Sequence, residues 1–226
     1  GMDKPQLDLA LALAHEHQIP IGGLQIHAGP GNFASHACAL AQSLPALIAY
    51  IEQKLGQPLQ TVVLGAALAN DWQQQDLGAQ FARYRELLKA VPSHIELMHD
   101  IGRSVMGSSG IFASKIISQK TIFGQTIALC DGGMVQAFLL TEAAQGQRLS
   151  SVCQIKRGGQ LLPTTPVSAG GTLLVGPSGH EQDVLARIAQ TLEVGDVLFF
   201  SNAGAYVQAY TPSQYLGFHP VPALIV

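Results

Sequence analysis

The N-terminal half of this chain alternates between helical patterns and short apolar strands, and this alternation restricts the fold more than any other feature. Apolar residues recur at helical spacing in three segments, at 7–17, 33–55 and 79–91. Short strand patterns lie between and after them, at 19–27, 61–64 and 95–98. Helices that alternate with strands form the repeating unit of parallel α/β sheets and barrels. About three such units are present, which is too few to close a barrel of about eight strands.

After Arg103 the pattern changes to short, β-branched segments that are separated by glycines and polar turns. These strand candidates lie at 105–117, 121–130, 150–156, 172–175, 197–201 and 223–226. They predict an all-β region of meander or sandwich type. The expected fold class is therefore α+β, with a partial (β/α) barrel over residues 2–104 and an all-β C-terminal domain over residues 105–226.

Two local features qualify this prediction. Pro45 lies inside the helical segment 33–55, and we expect it to kink that helix or divide it in two. Residues 142–148 are polar without a clear period, which predicts a loop or a mobile flap.

The composition excludes several classes of protein. The net charge is −3 without a basic cluster, which argues against nucleic-acid binding. No apolar run reaches the ~18 residues that a membrane-spanning helix needs, and no signal peptide is recognisable. The cysteines Cys38, Cys130 and Cys153 lack metal-ligand spacing, which favours buried thiols in a reducing cytoplasm. Only 12% of the residues are charged, so we expect a second copy of the chain to cover part of the surface.

Residues 176–206 form the stretch most typical of a ligand site. A Gly-Pro turn leads through a polar segment into an apolar segment with helical spacing, and a strand at 197–201 then leads to Gly204, Ala205 and Tyr206. Small residues allow an anion to approach the backbone, and a phenol can donate a hydrogen bond to it. The same pattern also fits a simple turn, helix and strand.

Several short motifs follow one another in a fixed order along the chain. They are GLQIHAG at 23–29, LGAA at 64–67, DIGRS at 100–104, GI at 110–111, DGGM at 131–134, VGP at 175–177, VGD at 194–196 and GAY at 204–206. Together they resemble the pyridoxal-phosphate-dependent ornithine/diaminopimelate/arginine decarboxylases. That family joins an alanine-racemase-like barrel to a C-terminal β domain. The tail at 211–220 further resembles the subgroup associated with exosortase loci.

The resemblance implies a cofactor-binding role for five residues. His27 would stack on the ring of pyridoxal phosphate, and Gly65 would belong to the phosphate loop. Asp100 would pair with the pyridine nitrogen, Arg103 belongs to the same motif, and Tyr206 would donate to the phosphate. A carboxylate at the ring nitrogen keeps that nitrogen protonated, so the ring can accept charge from a carbanion. Simpler roles remain open, because Asp100 and Arg103 could form an ion pair, and His27 and Tyr206 could be packed at strand ends.

The resemblance also implies that Asp183 is a substrate-side acid, although a carboxylate there could equally begin a helix. Other positions depart from the family. Gly179 replaces the catalytic cysteine, Ala66 and Ala67 would crowd a phosphate, and Pro30 has no N–H to donate. Asp100 is also one methylene shorter than the expected glutamate.

The lysine that the family joins to its cofactor has no match in this chain, and the resemblance implies that about five of the barrel's eight strands are missing. Three hypotheses follow. The chain is a truncated relative that is inactive alone, or one subunit of a split decarboxylase that another chain completes. The third hypothesis is a non-catalytic module for phosphate or carboxylate binding or for oligomerisation.

The resemblance predicts a homodimer, and it predicts that any pyridoxal phosphate is bound without a covalent link. A metal site is not expected, because His180 and His219 have no partners at ligand spacing.

Overall fold

A computed structural model of the chain describes residues 1–27, 29, 33–65, 68, 72, 75–149, 151–212, 217, 222 and 224. The chain forms two compact units, Gly1–Ile101 and Gly102–Val226. The candidates Pro30, Ala66 and Ala67, most of the tail at 211–220 and most of the predicted strand 223–226 lie outside the described residues.

The first unit consists of helices and parallel strands in alternation. Its elements are α1 (Lys4–Glu16), β1 (Gly23–His27), α2 (Cys38–Leu55), β2 (Thr61–Gly65), α3 (Gly78–Leu88) and β3 (Glu96–Asp100). The strands form a parallel sheet in the order β1-β2-β3. Three parallel strands with intervening helices were predicted from the sequence and are present.

The core of this unit lies between α2 and the central strand. Leu44, Ile48 and Ile51 recur on one face of α2 and are fully or almost fully buried with Val62 and Leu64 of β2. Burying each such side chain contributes about 1.5–3 kcal/mol. This packing holds the strand ends of the sheet in place.

Of the two outcomes expected at Pro45, a division of the helix is wrong, and a kink stays a prediction. Pro45 lies inside α2, which continues without interruption from Cys38 to Leu55, and a π-helical turn at Phe33–Ala37 precedes it. A proline removes one backbone hydrogen bond. The neighbouring Leu44 and Ile48 are 0% exposed, and their packing on both sides of Pro45 stabilises the helix despite that loss.

The second unit is built around one seven-stranded sheet. Its strands are β4 (Phe112–Ile122), β5 (Gln125–Cys130), β6 (Cys153–Arg157), β7 (Gln160–Pro163), β8 (Thr172–Val175), β9 (Val184–Ile188) and β10 (Val197–Phe200). The order is β7-β6-β10-β4-β5-β8-β9, and all neighbours are antiparallel except β5 and β8. Three short helices complete it: α4 (Gly102–Met106), α5 (Met134–Ala137) and α6 (Val207–Tyr210).

Three sequence predictions for this unit are wrong. The strand expected over 105–117 begins only at Phe112, because α4 and a 3₁₀ turn at Gly107–Ser109 precede it. The strand expected over 121–130 is interrupted by a turn, because β4 ends at Ile122 and β5 begins at Gln125. The apolar segment after Asp183, expected to be helical, is the strand β9. The predicted loop at 142–148 consists of 3₁₀ turns over Glu142–Gln147, and its Ala144 is buried in the core.

The core of the second unit comes from alternating residues on its strands. Phe112, Ser114 and Ile116 of β4 point inward, and Leu198 and Phe200 of β10 pack with them. The three cysteines are free and buried, as the sequence predicted. Burial raises the pKa of both Cys130 and Cys153 to about 12, which keeps their thiols protonated. In the described part of the chain, no helix is long and apolar enough to cross a membrane.

Candidate functional site

Three of the predicted site residues lie side by side at the carboxyl edge of the parallel sheet. His27, Gly65 and Asp100 are the last residues of β1, β2 and β3, and the register pairs His27 with Gly65 and Gly65 with Asp100. Neighbouring strands are about 4.8 Å apart, so this row is about 10 Å wide. Residues in register point to the same face of a sheet. The row therefore places an imidazole and a carboxylate on one face, with a glycine between them.

His27 lies directly against Gly65. A Cβ atom added to Gly65 would overlap Nδ1 of His27 and would lie 3.1 Å from its Cγ and 3.2 Å from its Cα. Gly65 is itself buried, while His27 and Asp100 are exposed. A side chain at position 65 would thus displace the imidazole, and glycine is the residue that lets His27 occupy this position.

His99 is a residue of this region that the sequence patterns do not single out. It precedes Asp100 on β3 and therefore points to the opposite, helix-covered face. Its Nε2 lies 2.9 Å from the hydroxyl of Tyr84 on α3, and partial burial lowers the pKa of the imidazole. His99 has a structural role between strand and helix. Because Tyr84 lies fifteen positions earlier in the sequence, no local pattern around His99 indicates this contact.

The second unit brings together two further predicted residues. The guanidinium of Arg103 on α4 lies 5.3 Å from the ring centroid of Tyr206, at cation–π distance. Tyr206 is 47% exposed and has a left-handed backbone with φ 63° immediately before α6. A half-buried cation beside an exposed phenol offers charged and neutral donors to an anion. Whether Asp100 pairs with Arg103 stays a prediction.

Close packing of small residues holds Tyr206 in this place. The N–H of Gly204 donates to the carbonyl of Gly107 over 3.0 Å, and the N–H of Ala203 donates to that of Gly110 over 2.9 Å. A Cβ atom on Gly110 or Gly204 would overlap backbone atoms of the opposite segment. The motifs at 110–111 and 204–206 are therefore in contact, and this contact brings Tyr206 to α4.

Asp183 lies in a buried hydrogen-bonded position. Its side chain is 1% exposed and accepts from the N–H of Met134 over 2.6 Å and from the hydroxyl of Ser178 over 2.6 Å. A Cβ atom on Gly133 or Gly176 would overlap the carboxylate. Asp183 thus connects the turn at 131–134 to the turn that follows residues 175–177 through hydrogen bonds. The predicted contact of Asp183 with a substrate is not tested by this geometry and stays a prediction.

The position expected to hold a catalytic cysteine is an open turn. Gly179 is exposed, has φ 75°, and would have no neighbour within 4 Å of an added Cβ atom. The turn offers space for a thiol and contains none. Among the described residues, no group of three His, Cys, Asp or Glu side chains could hold a metal ion.

Residues 13–204 match the family described as "Pyridoxal-dependent decarboxylase, C-terminal sheet domain", and the chain belongs to that family. It is 24% identical to diaminopimelate decarboxylase of Streptomyces coelicolor over 100% of this chain and 53% of that protein. It is also 24% identical to diaminopimelate decarboxylase of Buchnera aphidicola, over 87% of this chain and 49% of that protein. The chain therefore spans about half the length of the curated relatives that it matches.

Solved decarboxylase structures share its fold. Lysine/ornithine decarboxylase of Vibrio vulnificus, complexed with cadaverine, superposes with a TM-score of 0.75 at 21% identity, over 97% of this chain and 59% of that one. Arginine decarboxylase of Paramecium bursaria Chlorella virus, bound to agmatine, gives 0.77 at 17% identity, over 97% and 58%. These likenesses establish a decarboxylase-like fold, and the closer resemblance to the exosortase-associated subgroup stays a prediction.

Proposed function

We propose that this chain is a relative of pyridoxal-phosphate-dependent decarboxylases that does not decarboxylate amino acids by itself, and that it keeps part of a cofactor site. The observation that carries the proposal is the position of its lysines. The sequence has six, at positions 4, 54, 89, 115, 120 and 156, and all of them are described residues. None lies on β1, β2 or β3.

The three lysines of the first unit lie on its helices or directly after one of them, and not at the row of strand ends. Lys54 and Lys89 lie at the ends of α2 and α3, before β2 and β3 begin, and therefore at the amino edge of the sheet. Lys4 donates to Asp8 over 3.0 Å and to Tyr50 over 2.9 Å. A five-residue strand is about 13 Å long, which separates the amino edge from the row at the carboxyl edge.

Each unit, taken by itself, offers residues that fit some of the non-covalent contacts of pyridoxal phosphate. In the first unit, the exposed carboxylate of Asp100 can accept from a protonated ring nitrogen, and the exposed imidazole of His27 can lie against a ring. In the second unit, Arg103 and Tyr206 can donate to a phosphate. When bound, the cofactor supplies a ring that accepts electrons from the carbon that loses its carboxylate. The chain lacks the lysine for the covalent link, and the turn at Gly179 lacks the thiol, so we propose binding without turnover.

A second candidate is one subunit of a split decarboxylase. Two observations favour it. The chain spans 53% and 49% of the two diaminopimelate decarboxylases, and among the described residues both outer strands of the parallel sheet lack a partner on one side. A companion chain could supply a lysine. It would not restore a thiol at Gly179, so we rank this candidate second and a purely binding or oligomerising module third.

The cellular location and the assembly are part of the proposal. Three buried, free cysteines are typical of a protein in a reducing cytoplasm. The family resemblance and the low charge support a homodimer.

The test is a titration of the chain with pyridoxal phosphate, followed by borohydride reduction and mass spectrometry. We expect saturable binding by absorbance, no stoichiometric adduct on any single lysine, and no carbon dioxide release from diaminopimelate, ornithine, lysine or arginine. Tyr206→Phe should weaken binding about tenfold, which corresponds to the loss of one charge-assisted hydrogen bond. Tyr210→Phe is the matched control, because Tyr210 is similarly exposed at 50% and its ring centroid is 6.0 Å from that of Tyr206.

One adduct per chain on a defined lysine, or release of carbon dioxide by the chain alone, would overturn the proposal. Turnover that appears only on addition of a lysine-bearing companion would favour the split enzyme. Equal affinities of the Tyr206→Phe and Tyr210→Phe variants would remove Tyr206 from the proposed site.

A further inference from the structure

The last two residues of β3 point to opposite faces of the parallel sheet. His99 pairs in register with Leu64 on the face that the helices cover, and Asp100 pairs with Gly65 on the face of the row of strand ends. Nε2 of His99 lies 2.9 Å from the hydroxyl of Tyr84 on α3, and the two rings meet edge to face with centroids 5.8 Å apart. A side-chain contact behind the sheet therefore holds the residue next to Asp100.

Aromatic packing fixes the position of Tyr84. Its ring centroid lies 5.1 Å from that of Phe33, which is 5% exposed, and the ring of Phe33 also lies 4.9 Å from that of Phe81 on α3. No residue of α3 is fully buried, so these ring contacts contribute much of the packing that holds this helix beside the strands. Tyr84 is thus a fixed point to which the end of β3 is attached.

Both partners of this contact are uncharged at neutral pH. Burial raises the pKa of Tyr84 to about 12, and burial lowers the pKa of His99. The phenol therefore keeps its proton and donates it to Nε2 of a neutral imidazole, which leaves the imidazole proton on Nδ1. This single directed hydrogen bond sets the orientation of the imidazole.

The carboxylate of Asp100 has no comparable support of its own. It is exposed, and within the described part of the first unit no hydrogen bond or ion pair holds it. Its direction is therefore set by the backbone at the end of β3. That backbone is held by its pairing with β2 and by the side chain of His99.

We propose that Tyr84 and His99 are positioning residues for Asp100, and that their hydrogen bond directs its carboxylate towards the ring nitrogen of pyridoxal phosphate. The inference rests on the proposed function, because it takes this cofactor as the ligand of the row of strand ends. It adds two residues that lie on the opposite face of the sheet and act through the backbone of β3. Removing their hydrogen bond should weaken recognition of the ring nitrogen and leave the other contacts of the cofactor unchanged.

The test compares two ligands of the full chain by isothermal titration calorimetry. One is pyridoxal phosphate, and the other is its deaza analogue, in which a C–H group replaces the ring nitrogen. The two compounds share every other group, so the ratio of their dissociation constants isolates the contact at that nitrogen. For the wild type we expect pyridoxal phosphate to bind at least about tenfold more tightly, which corresponds to one charge-assisted hydrogen bond. Tyr84→Phe should lower this ratio at least about threefold, because a hydrogen bond weakens steeply as its geometry deteriorates.

Three further variants complete the experiment. Asp100→Asn gives the ratio expected without the carboxylate. His99→Leu should lower the ratio as much as Tyr84→Phe does, and the double variant should lower it no further, because both substitutions remove the same hydrogen bond. Tyr50→Phe is the matched control, since it removes a hydroxyl that accepts from Lys4 over 2.9 Å on another helix of the same unit. We expect it to keep the wild-type ratio, and circular dichroism checks that each variant is folded.

The outcomes separate this inference from the proposed function. A Tyr84→Phe variant with the wild-type ratio would overturn the inference, even if both ligands bound more weakly, because an equal loss indicates a purely structural role. A wild-type ratio near one would also overturn it, since Asp100 would then not contact the ring nitrogen. In both cases the binding of pyridoxal phosphate without turnover would still stand. A wild-type chain that binds neither ligand would overturn the proposed function itself, and the inference with it.

Discussion

Asp183 matches a position of the family motifs, and its hydrogen bonds stabilise the fold of the second unit. Both of its carboxylate oxygens accept hydrogen bonds inside the second unit, from Met134 and from Ser178. Asp183→Asn would turn an NH₂ group towards one of these donors. We expect the free energy of unfolding to fall by about 2–3 kcal/mol, because a buried donor loses its acceptor. Urea denaturation followed by circular dichroism measures this change.

Glu181→Gln provides the control for that substitution, since Glu181 is an exposed acid two positions away. Surface substitutions of this kind change the free energy of unfolding by less than about 0.5 kcal/mol. An Asp183→Asn variant as stable as the wild type would contradict the structural role. If that variant also bound ligand more weakly, the substrate-side role predicted from the resemblance would gain support.

The strand-end residues show how far the order of residues along the chain predicts a site. His27, Gly65 and Asp100 could be chosen from the sequence because each lies at or just after the end of a predicted strand of a parallel sheet. Their pairing in one row could not be, because it depends on the register of three strands. The close contact of Gly65 with His27 likewise arises only when β1 and β2 pair.

At the scale of elements, one ion pair joins β6 to the turn before β10. Arg157 donates from Nε and a terminal nitrogen to the two carboxylate oxygens of Asp196, over 2.8 and 2.6 Å. Asp196 is buried, and the hydrogen bond from Arg157 lowers the pKa of its carboxyl from 3.8. We expect Asp196→Asn to lower the free energy of unfolding by about 2–4 kcal/mol at neutral pH, since the buried acceptor of two charge-assisted hydrogen bonds from Arg157 is lost and the arginine keeps only the exposed carboxylate of Glu193.

The pH dependence of the stability that Asp196→Asn loses follows from the direction in which the pKa of Asp196 is shifted. A carboxyl with a lowered pKa in the folded state contributes its stability above the unfolded pKa and loses it as the pH falls through the folded pKa. The difference in the free energy of unfolding between the wild type and Asp196→Asn should therefore be constant from pH 7 to about pH 5 and should shrink below about pH 4. Urea titrations at successive pH values measure it.

Glu193→Gln is the matched control, because Glu193 contacts the same arginine at 2.8 Å but is 66% exposed. An exposed ion pair contributes about 0–1 kcal/mol. Equal losses for Glu193→Gln and Asp196→Asn would contradict the assignment of the stabilisation to the buried carboxylate.

The elements that the sequence patterns predicted wrongly can each be explained in physical terms. Val184 to Ile188 fit a helical spacing, but these residues pair with β8, and tertiary pairing overrides a local pattern. The β-branched run at 105–117 suggested one strand, and its first residues instead form α4. The strand predicted over 121–130 includes the turn between β4 and β5, where Phe123 adopts φ 50° before Gly124 at φ 77°. Phenylalanine rarely occupies that conformation, so the turn has a weak sequence signal.

For the molecule as a whole, each unit has a hydrophobic core of its own. The main hydrophobic cluster of the second unit extends from Phe112 to Val207 and packs on its seven-stranded sheet without residues from the first unit. The first unit has a separate and smaller core around α2 and β2, on a sheet of three strands. The predicted two-domain organisation, with a partial barrel followed by a β domain, remains a proposal that expression of the separate units can examine.

We therefore predict that residues 102–226 fold when expressed alone. Their core is complete, so urea should unfold the fragment in a single cooperative transition with an m-value of roughly 1–3 kcal/mol/M. Asp196→Asn should destabilise this fragment by the same amount as it destabilises the full chain, because Arg157 and Asp196 both lie within it. The fragment 1–101 is the counterpart, and we expect it to associate or aggregate through its open sheet edges. A fragment 102–226 that lacks a cooperative transition, or that loses the effect of Asp196→Asn, would show that this sheet depends on the first unit for its stability.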